Sequence, residues 1–356
     1  MMNKISRRDA LKSGLVVPIA STINPLQTRV ITAAVTEQDK KPGILTKHEE
    51  DSFTIAVLPD TQNYCQAAPK GFYAQTRWLV ENKDAWNIQA VLHLGDITNR
   101  NSPAQWDIAL RAMSYLDGHV PYCMVPGNHD YSENGNGKDR TTLLNKYFPV
   151  EKARRQSCFG GTYDKEPSRM ENSYHLFSVG SRSFVVLALE FGPRADVVRW
   201  ANQVAEKYSD REAILITHAY VYYDETRYDW KHYGSKQKWN PHSYGMAKTA
   251  DDDVMDGEEL WRNLVSKHEN FILTLNGHVL GDGLGRLSTK TPGGREVHQM
   301  LVNFQMKPNG GDGWLRLLEF TRDRRVFVTD YSPTLHQVNT SPQNRFTLKL
   351  DPVGPG

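Results

Sequence analysis

Five segments of the chain place aspartate, asparagine or histidine directly after an apolar run that is typical of a β-strand. These residues are Asp60, Asp96, Asn128-His129-Asp130, His218 and His278. Carboxylates, imidazoles and an amide oxygen together suit a pair of divalent metal ions, because carboxylates offset charge and imidazoles suit zinc, iron or manganese. Each segment alone is typical of an ordinary turn or a hydrogen-bonded histidine, so the interpretation depends on all five meeting in one place.

The segments around these residues alternate between strand-like and helix-like patterns. Apolar runs at 53–58, 91–94 and 122–125 predict strands, and helical spacing of apolar residues follows at 72–83 and 106–117. Three β-then-helix units in a row predict an α/β fold with parallel strands. Since the carboxyl ends of such strands line a ligand crevice, we expect the polar residues to meet at one edge of the sheet.

The rest of the chain continues this pattern and then changes. Paired strands are predicted around the Gly180-Ser181 turn, followed by a helix at 197–208, a strand at 213–216, a helix at 257–267 and a strand at 271–275. Beyond His278 the pattern predicts strands only, at 297–304, 314–320, 325–331 and 346–350. We therefore predict one domain with an α/β front and a β-rich back.

Composition excludes several classes of protein. The 356 residues are 39% hydrophobic and 24% charged, with a net charge of +2, which is typical of a globular protein and argues against duplex binding through a broad basic face. The three cysteines show no C-x-x-C spacing, so neither a disulfide framework nor a thiolate zinc site is indicated. No apolar run reaches the roughly 18 residues that span a bilayer.

Four of the polar segments resemble, in order, the signature blocks of the calcineurin-like metallophosphoesterases. The blocks are Gly95-Asp96, Gly127-Asn128-His129-Asp130, Thr217-His218 and Gly277-His278. The resemblance covers about residues 53–281, and its most specific part is the Gly-Asn-His-Asp block after a strand. It implies a four-layer α/β/β/α sandwich of two mixed β-sheets and an enzyme that hydrolyses phosphate mono- or diesters.

The resemblance also implies a binuclear metal centre of two divalent ions. Asp96 would bridge the two ions, and Asp60 would bind the first of them. Asn128, His218 and His278 would complete the set of ligands around the second ion. Two cations about 4 Å apart would lower the pKa of a bridging water and stabilise the charge of an in-line displacement.

Further residues are implied to act directly on the phosphate ester. His129 is similar to the family histidine that approaches the phosphate and protonates or steadies the leaving oxygen. Arg100 resembles the arginine that neutralises phosphate. Asn99 stands where many relatives carry an aspartate that pairs with this histidine, and an amide cannot stabilise imidazolium as a carboxylate does. We therefore expect a less basic His129, with Asp130 as the candidate that compensates.

The sequence departs from the family pattern at two ligands of the first metal. Asp60-Thr61-Gln62 replaces the usual Asp-x-His, and Gly277-His278-Val279-Leu280 replaces the usual Gly-His-x-His. Gln62 can donate a carbonyl oxygen, whereas Leu280 cannot bind a metal. The remaining position is open to water, Asp282, His298 or Gln305, each of which could equally be an ordinary turn or strand residue. We expect a weaker first site that favours manganese, magnesium or iron over zinc.

An insert at about 219–256 follows His218 and is rich in aromatic and basic residues. It could overhang the site and stack a nucleobase, sugar or aryl group, with its basic residues attracting phosphate. Alternatively, its aromatic side chains could pack against one another as a surface loop. His232 and His242 lie in this insert and are interpreted as non-ligands.

The first residues resemble a twin-arginine export signal. Ser6-Arg7-Arg8-Asp9-Ala10-Leu11-Lys12 precedes a weakly apolar stretch at 14–20, with Ala10 where the signal usually has phenylalanine. The alternative is an amphipathic helix with adjacent arginines. We expect residues 1–45 to be a signal peptide and unstructured leader and residues 46–356 to form the domain. Export by the twin-arginine machinery would place the protein in the periplasm or outside the cell.

Three hypotheses about function follow. The first is a phosphoesterase that acts on a small phosphate ester through a metal-bound hydroxide. The second is a non-catalytic protein that binds a phosphate ligand or carbohydrate on the same scaffold, motivated by the missing histidines and the aromatic insert. The third keeps an enzyme with one strong metal but changes the bond to another ester or an amide.

Overall fold

Two β-sheets form the centre of the computed structural model, which describes residues 45–248 and 253–352. The strands are β1 (Phe53–Leu58), β2 (Ile88–His93), β3 (Tyr122–Met124), β4 (Phe159–Thr162), β5 (Ser173–Val179), β6 (Arg182–Ala188), β7 (Glu212–Ile216), β8 (Phe271–Asn276), β9 (Leu284–Lys290), β10 (Glu296–Val302), β11 (Leu315–Phe320), β12 (Arg325–Ser332), β13 (Gln337–Asn339) and β14 (Arg345–Lys349). The first sheet has the order β13-β12-β11-β1-β2-β3, with β14 also paired to β12. The second has the order β4-β5-β6-β7-β8-β10-β9.

Helices α2 and α3 cover the outer face of the first sheet, and α6 and α8 cover that of the second. The helices are α1 (Gln62–Ala67), α2 (Pro69–Glu81), α3 (Pro103–Met113), α4 (Leu144–Tyr147), α5 (Val150–Ala153), α6 (Ala195–Lys207), α7 (Trp230–Tyr233), α8 (Gly257–Asn263) and α9 (Pro308–Gly311). Single 3₁₀ turns occupy Asn128–Asp130, Glu133–Gly135, Gly234–Lys236, Pro241–Ser243, Gly245–Lys248 and Val265–Lys267. In the described residues, no helix has both the length and the hydropathy needed to cross a membrane.

Both sheets are mixed, and the strands that carry the polar segments run in parallel. In the first sheet β1 pairs in parallel with β2 and β2 with β3, while β11 joins the other side of β1 antiparallel. In the second sheet β6, β7, β8 and β10 are parallel neighbours. Within each sheet, the loops after parallel strands therefore leave from the same edge.

Three hydrophobic cores separate the layers. All six residues of β1 are buried, because alternate side chains of a central strand point to opposite faces. Ile55 and Val57 pack between the sheets with residues of β6 and β7, whereas Ala56 and Leu58 pack toward α2 and α3. A third core lies between the second sheet and helices α6 and α8. The layer order is α/β/β/α, which confirms the predicted fold.

Local sequence explains the main helices. α2 and α3 begin with Pro69 and Pro103, whose fixed φ suits a first helical turn. α8 begins at a capping box, in which Asp256 accepts a hydrogen bond from the backbone of Glu259 and the Glu259 side chain accepts one from the backbone of Asp256.

Several predicted elements differ from the structure. No long helix follows β3, so the third predicted β-then-helix unit is wrong: two 3₁₀ turns and two short helices take its place. The helix predicted at 257–267 ends at Asn263 and is followed by a separate 3₁₀ turn. Strands β4, β9 and β13 were not predicted. Cys65, Cys123 and Cys158 are buried and unbridged, as the sparse cysteine pattern indicates.

Candidate metal centre

Five buried polar residues lie in the loops that follow five strands. Asp60 follows β1, Asp96 follows β2 and Asn128 follows β3 in the first sheet. His218 follows β7 and His278 follows β8 in the second sheet. Each is at most 5% exposed. The carboxylates and the amide thus come from one sheet, and both imidazoles come from the other.

Short contacts join the residues across the two sheets. His218 Nε2 lies 3.2 Å from Asp96 Oδ1, and the backbone N–H of His278 donates to both carboxylate oxygens of Asp60 at 3.1 Å. One ligand atom from each of Asp96, His218 and His278 lies within 4.8 Å of the other two. The structure therefore brings the predicted ligands of both sheets to one location.

The hydrogen bonds of the two histidines fix where their lone pairs are. His218 Nδ1 lies 2.7 Å from the carbonyl oxygen of Leu94, and because a carbonyl only accepts, Nδ1 carries the proton. His218 Nε2 then faces Asp96 Oδ1, to which it donates when the ring is protonated, and it offers a lone pair once a metal ion replaces that proton. His278 Nε2 lies 2.8 Å from the carbonyl oxygen of Trp239 and likewise carries the proton. This pattern is the one that holds metal-binding imidazoles in place.

Several acceptor atoms at the centre have no hydrogen-bond partner among the described residues. They include His278 Nδ1, Asn128 Oδ1 and Gln62 Oε1, all with almost no exposed surface. Buried polar atoms are nearly always hydrogen-bonded, so a cluster of unpartnered acceptors needs another explanation. A divalent cation would satisfy all of these lone pairs, and the residues present therefore fit metal ions.

The electrostatics of the carboxylates agree with a cation site. Burial raises the pKa of Asp60 to about 8, against the opposing influence of His218. Burial also acts to raise the pKa of Asp96, but His218 and His129 outweigh it and hold this pKa below its usual value. Two carboxyl groups this close do not ionise together easily without compensating positive charge.

The pKa values of the two imidazoles shift in opposite directions. Burial acts to lower the pKa of His218, yet the charges of Asp96 and Asp60 raise it to about 9. Burial lowers the pKa of His278 to about 3, helped by the charge of His218. His278 is therefore held neutral, the form in which an imidazole binds a metal.

Backbone conformation at the ligands depends on adjacent glycines. Asp96 and His278 adopt left-handed conformations, with φ values of 46° and 73°. A Cβ atom on Gly277 would collide with Asp60 Oδ1, and one on Gly127 would collide with Asp96 Oδ1. The glycines before the ligands in these motifs thus permit close approach of the loops.

Asp130 supports the loops and does not pair with His129. Its carboxylate accepts hydrogen bonds from the backbone N–H groups of Ile97, Thr98 and Gly127 at 2.7–2.9 Å, and from the Thr98 hydroxyl at 2.9 Å. The expectation that Asp130 compensates for the amide at position 99 is therefore wrong. Its acceptor capacity is used in tying the loop after β2 to the loop after β3.

His129 lies beside the metal centre and is half-buried. Its backbone N–H donates to Asp96 Oδ1 at 2.9 Å, and its Nδ1 lies 2.9 Å from the carbonyl oxygen of Asn99. Nδ1 carries the proton because the carbonyl only accepts, so Nε2 is the atom that can exchange a proton with a substrate. The backbone carbonyl of Asn99, rather than its side chain, orients the ring.

Arg100 lies on the same loop, with an exposed side chain. Its backbone N–H and that of Asn99 both donate to Gln105 Oε1, at 2.8 and 2.9 Å. This fixes the base of the arginine while its guanidinium stays in solvent.

The three side chains considered as further ligands of the first metal lie in different surroundings. Both ring nitrogens of His298 are in contact with other groups, at 2.7 Å from Ser288 Oγ and 3.0 Å from the carbonyl of Lys349, so it is a structural strand residue. Asp282 is exposed and accepts a hydrogen bond from Leu284 in its own turn. Gln305 is buried, and its Oε1 has no hydrogen-bond partner in the described part of the chain.

Asn303 is a site residue that the sequence analysis missed. Its Nδ2 donates to Asp60 Oδ2 at 3.0 Å. It directly follows β10, a parallel neighbour of β8, so the strand-end rule that found the other residues could have found it.

The insert packs much of its aromatic content into the core and also contacts His278 through its backbone. Tyr220, Tyr222 and Tyr228 are buried in the core of the second sheet, as expected of a self-packed loop. The backbone of Trp239 holds the His278 ring, and the Trp239 side chain is 37% exposed.

The two histidines of the insert contact carboxylates. His232 Nδ1 lies 2.6 Å from Asp229, and His242 Nε2 lies 2.8 Å from Glu259. His242, Asp256 and Glu259 are close enough together to hold a cation, but the two carboxylates already form the capping box of α8.

A sandwich of two mixed β-sheets, with buried carboxylates, imidazoles and an amide converging from its strand ends, defines the metallophosphoesterase class of fold and site. The family model described as calcineurin-like phosphoesterase matches residues 53–282. The chain belongs to this family, which confirms the resemblance.

Individual relatives extend the comparison. The uncharacterized protein YvnB of Bacillus subtilis (strain 168) is 30% identical over 344 residues, which cover 90% of this chain and 24% of YvnB. This chain therefore spans about a quarter of the length of that relative.

Among solved structures, the purple acid phosphatase PPD1 from yellow lupin seeds superposes with a TM-score of 0.50 at 13% identity, covering 87% of this chain and 55% of PPD1. GAP50 of Plasmodium superposes with a TM-score of 0.46 at 12% identity, covering 84% and 89%. The likeness to PPD1 is one of fold.

Proposed function

We propose that this chain is a metal-dependent enzyme that hydrolyses phosphate mono- or diesters of small molecules. The observation that carries the proposal is the convergence of ligand atoms of Asp96, His218 and His278, within 4.8 Å of one another and directly beside His129. Membership of the calcineurin-like phosphoesterase family supports the same activity.

The residues that would hold two metal ions fall into two sets. Asp60 and Gln62 would bind the first ion, Asn128, His218 and His278 would bind the second, and Asp96 would bridge them. When bound, a pair of divalent ions supplies a nucleophile at neutral pH and offsets charge on the phosphoryl oxygens.

The chain itself supplies proton transfer and orientation. His129 Nε2 would donate a proton to the leaving oxygen, since Nδ1 is fixed on the carbonyl of Asn99. The exposed guanidinium of Arg100 would bind phosphate oxygens as the ester enters. Asp130 would keep the loops after β2 and β3 in register, and so keep Asp96 and His129 together.

A cavity bordered by Asn303, the residue that donates to Asp60, gives space for the alcohol part of a small ester. It has a volume of about 220 Å³ and is lined by residues 279–283, Asn303, Phe304, Met306 and Lys307. Met306 is 69% exposed there, so the cavity presents both an apolar surface and a lysine. We infer that the substrate is a small phosphate ester and not a nucleic-acid duplex.

The location of the protein is part of the proposal. The twin-arginine-like residues lie outside the part of the chain that the structure describes, so their sequence alone supports export to the periplasm or beyond. Replacing Arg7 and Arg8 by lysine should retain the protein in the cytoplasm, which cell fractionation with and without an active twin-arginine system would measure.

The activity is tested with the full chain, stripped of metal and reloaded separately with manganese, iron, zinc or magnesium. Hydrolysis of p-nitrophenyl phosphate or its bis-ester, abolished by chelation and restored by metal, is the expected result. His218→Ala, which removes a proposed ligand, should lose the restored activity. Absence of turnover of both esters with every metal would contradict the proposal.

A non-catalytic binding protein is the second candidate, and the replacement of the family histidines by Gln62 and Leu280 favours it. Tight binding of an unhydrolysed phosphate ester by metal-loaded protein would support this alternative. Against it, His129 is positioned to exchange a proton, which binding alone does not require.

A further inference from the structure

We propose that the first metal position is an all-oxygen site, in which the amide oxygens of Gln62 and Gln305 replace the two family histidines. This inference rests on the proposed two-metal centre, and it names the ligand that the sequence left open. It also assigns the ion: manganese or magnesium at this position in preference to zinc.

Gln305 has the properties of a ligand held ready for a cation. Its side chain is only 6% exposed, and Oε1 is buried with no hydrogen-bond partner among residues 45–248 and 253–352. Its backbone is fixed on both sides, because its N–H donates to Asn303 Oδ1 and its carbonyl accepts from Asn63 Nδ2, each at 2.9 Å. A fixed backbone thus carries a buried oxygen without a protein partner, which is unfavourable unless a cation or a water molecule meets it.

The same hydrogen bonds connect Gln305 to Asp60. Asn303 accepts from Gln305 N–H through Oδ1 and donates to Asp60 Oδ2 through Nδ2 at 3.0 Å. Asn303 therefore joins the backbone of Gln305 to the carboxylate predicted to bind the first ion. This places the backbone of Gln305 one asparagine away from the carboxylate of Asp60.

Gln62 directly precedes a residue of the same hydrogen-bond network. Its neighbour Asn63 is the residue that donates to the Gln305 carbonyl. Gln62 is 7% exposed, and its Oε1 is buried and likewise unpartnered in the described residues. Asn303 thus joins the backbone of Gln305 to Asp60, and Asn63 joins the carbonyl of Gln305 to the residue that follows Gln62.

The donor set determines which ion this position prefers. Carboxylate and amide oxygens are hard donors that suit magnesium and manganese, whereas zinc favours imidazole and thiolate. The second position keeps His218 and His278 and remains suited to zinc or iron. The two positions therefore differ in their preferred metals, and the enzyme can hold two different ions.

The test measures metal binding by the full chain, independently of turnover. Wild-type protein dialysed against manganese should hold two ions per chain and give the electron paramagnetic resonance signal of a coupled manganese pair. Gln305→Leu should hold one ion, or bind one of the two at least about tenfold more weakly, and lose the coupled signal.

Matched variants separate this role from a structural one. Gln75→Leu also removes a buried amide oxygen that lacks a partner, but on α2 away from the centre, and it should keep two ions. Gln62→His restores an imidazole and should raise the zinc-to-manganese affinity ratio at one position by about tenfold. Gln305→Glu, which keeps an oxygen, should retain both ions even where Gln305→Leu folds poorly.

Two results would overturn the inference: undiminished binding of both manganese ions by Gln305→Leu, or an unchanged zinc-to-manganese ratio in Gln62→His. Failure of the proposed function gives a different pattern, in which wild-type protein binds two ions and hydrolyses neither ester.

Discussion

His129 is the residue whose position most directly indicates a chemical step. Its Nδ1 is fixed on the carbonyl of Asn99, which leaves Nε2 to protonate a leaving alkoxide. We predict that His129→Asn lowers kcat by about 10²–10⁴-fold for an alkyl phosphate. The loss should be much smaller for p-nitrophenyl phosphate, because nitrophenolate leaves without a proton.

Steady-state kinetics on both esters, with metal content measured in parallel, checks this prediction. Equal losses on the two substrates would show that His129 does not act on the leaving group. Reduced metal content would show that the ring acts instead through Asp96, to which its backbone N–H donates.

We predict that Asp130 contributes mainly to the stability of the fold and not directly to the chemical step. Its carboxylate accepts four hydrogen bonds while buried, and burial raises its pKa to about 6 despite them. Asp130→Ala would leave buried donors unpaired, and we expect a loss of about 3 kcal/mol in the free energy of unfolding. Urea denaturation of the metal-free protein measures it, with exposed Asp84→Ala as the control. A change below about 1 kcal/mol would contradict the role assigned to Asp130.

Sequence reasoning located most of the site residues but not their partners. The strand-end rule and the motif placed Asp60, Asp96, His218 and His278 together, since each follows an apolar run. It could not show that Asp130 turns away from His129, because an adjacent residue in a 3₁₀ turn points in another direction. The pairing of Asn303 with Asp60 joins residues 243 positions apart, which no local pattern records.

At the level of elements, the insert after β7 contacts His278, a proposed metal ligand, through the backbone of Trp239. The carbonyl of Trp239 fixes the His278 ring, while its indole is 37% exposed. We predict that Trp239→Ala, which keeps the carbonyl, raises the KM for aryl or nucleoside phosphates by about 5–100-fold, because stacking on an aromatic side chain is lost. The KM for a small alkyl phosphate should change far less, and metal content should stay constant.

Kinetics with matched aryl and alkyl esters checks this. Trp230→Ala, in the same insert, is the control, since its indole packs near His242 instead. A uniform change in KM across all esters would exclude stacking on Trp239.

The elements most easily predicted were those with apolar faces. β1, β7 and β8 are continuous buried runs and were recognised within one or two residues. β9 and β13 end their sheets and carry many polar side chains, so neither alternation nor an apolar run marks them. Pairing with a neighbour, rather than sequence, makes these segments strands.

At the level of the whole molecule, loss of metal should change how stability depends on pH. In the metal-free fold the pKa of Asp60 is raised to about 8 and that of His218 to about 9. Between pH 7 and 8.5 the folded chain then binds more protons than the unfolded chain, so stability falls as pH rises. We expect a loss of about 2 kcal/mol over this interval for metal-free protein and little for metal-loaded protein.

Thermal unfolding of both forms across this pH range measures the difference. The buried thiols of Cys65, Cys123 and Cys158 also have raised pKa values, but they contribute equally to both forms. Parallel curves for the two forms would contradict the prediction.

The arrangement of the strands into two stacked sheets could not be predicted from the sequence patterns alone. Alternating segments indicated parallel strands, yet the division into two stacked sheets came from the family resemblance. The reason is physical: β1 and β11 pair across more than 250 residues, and β-strand propensity does not choose a partner at that distance.

The carboxylates come from one sheet and the imidazoles from the other. This separation affects the order in which the chain folds and binds metal. Neither sheet alone carries all the residues of the proposed centre, so we predict that tight metal binding requires both layers to have docked. Metal uptake during refolding would then report on completed assembly of the two sheets.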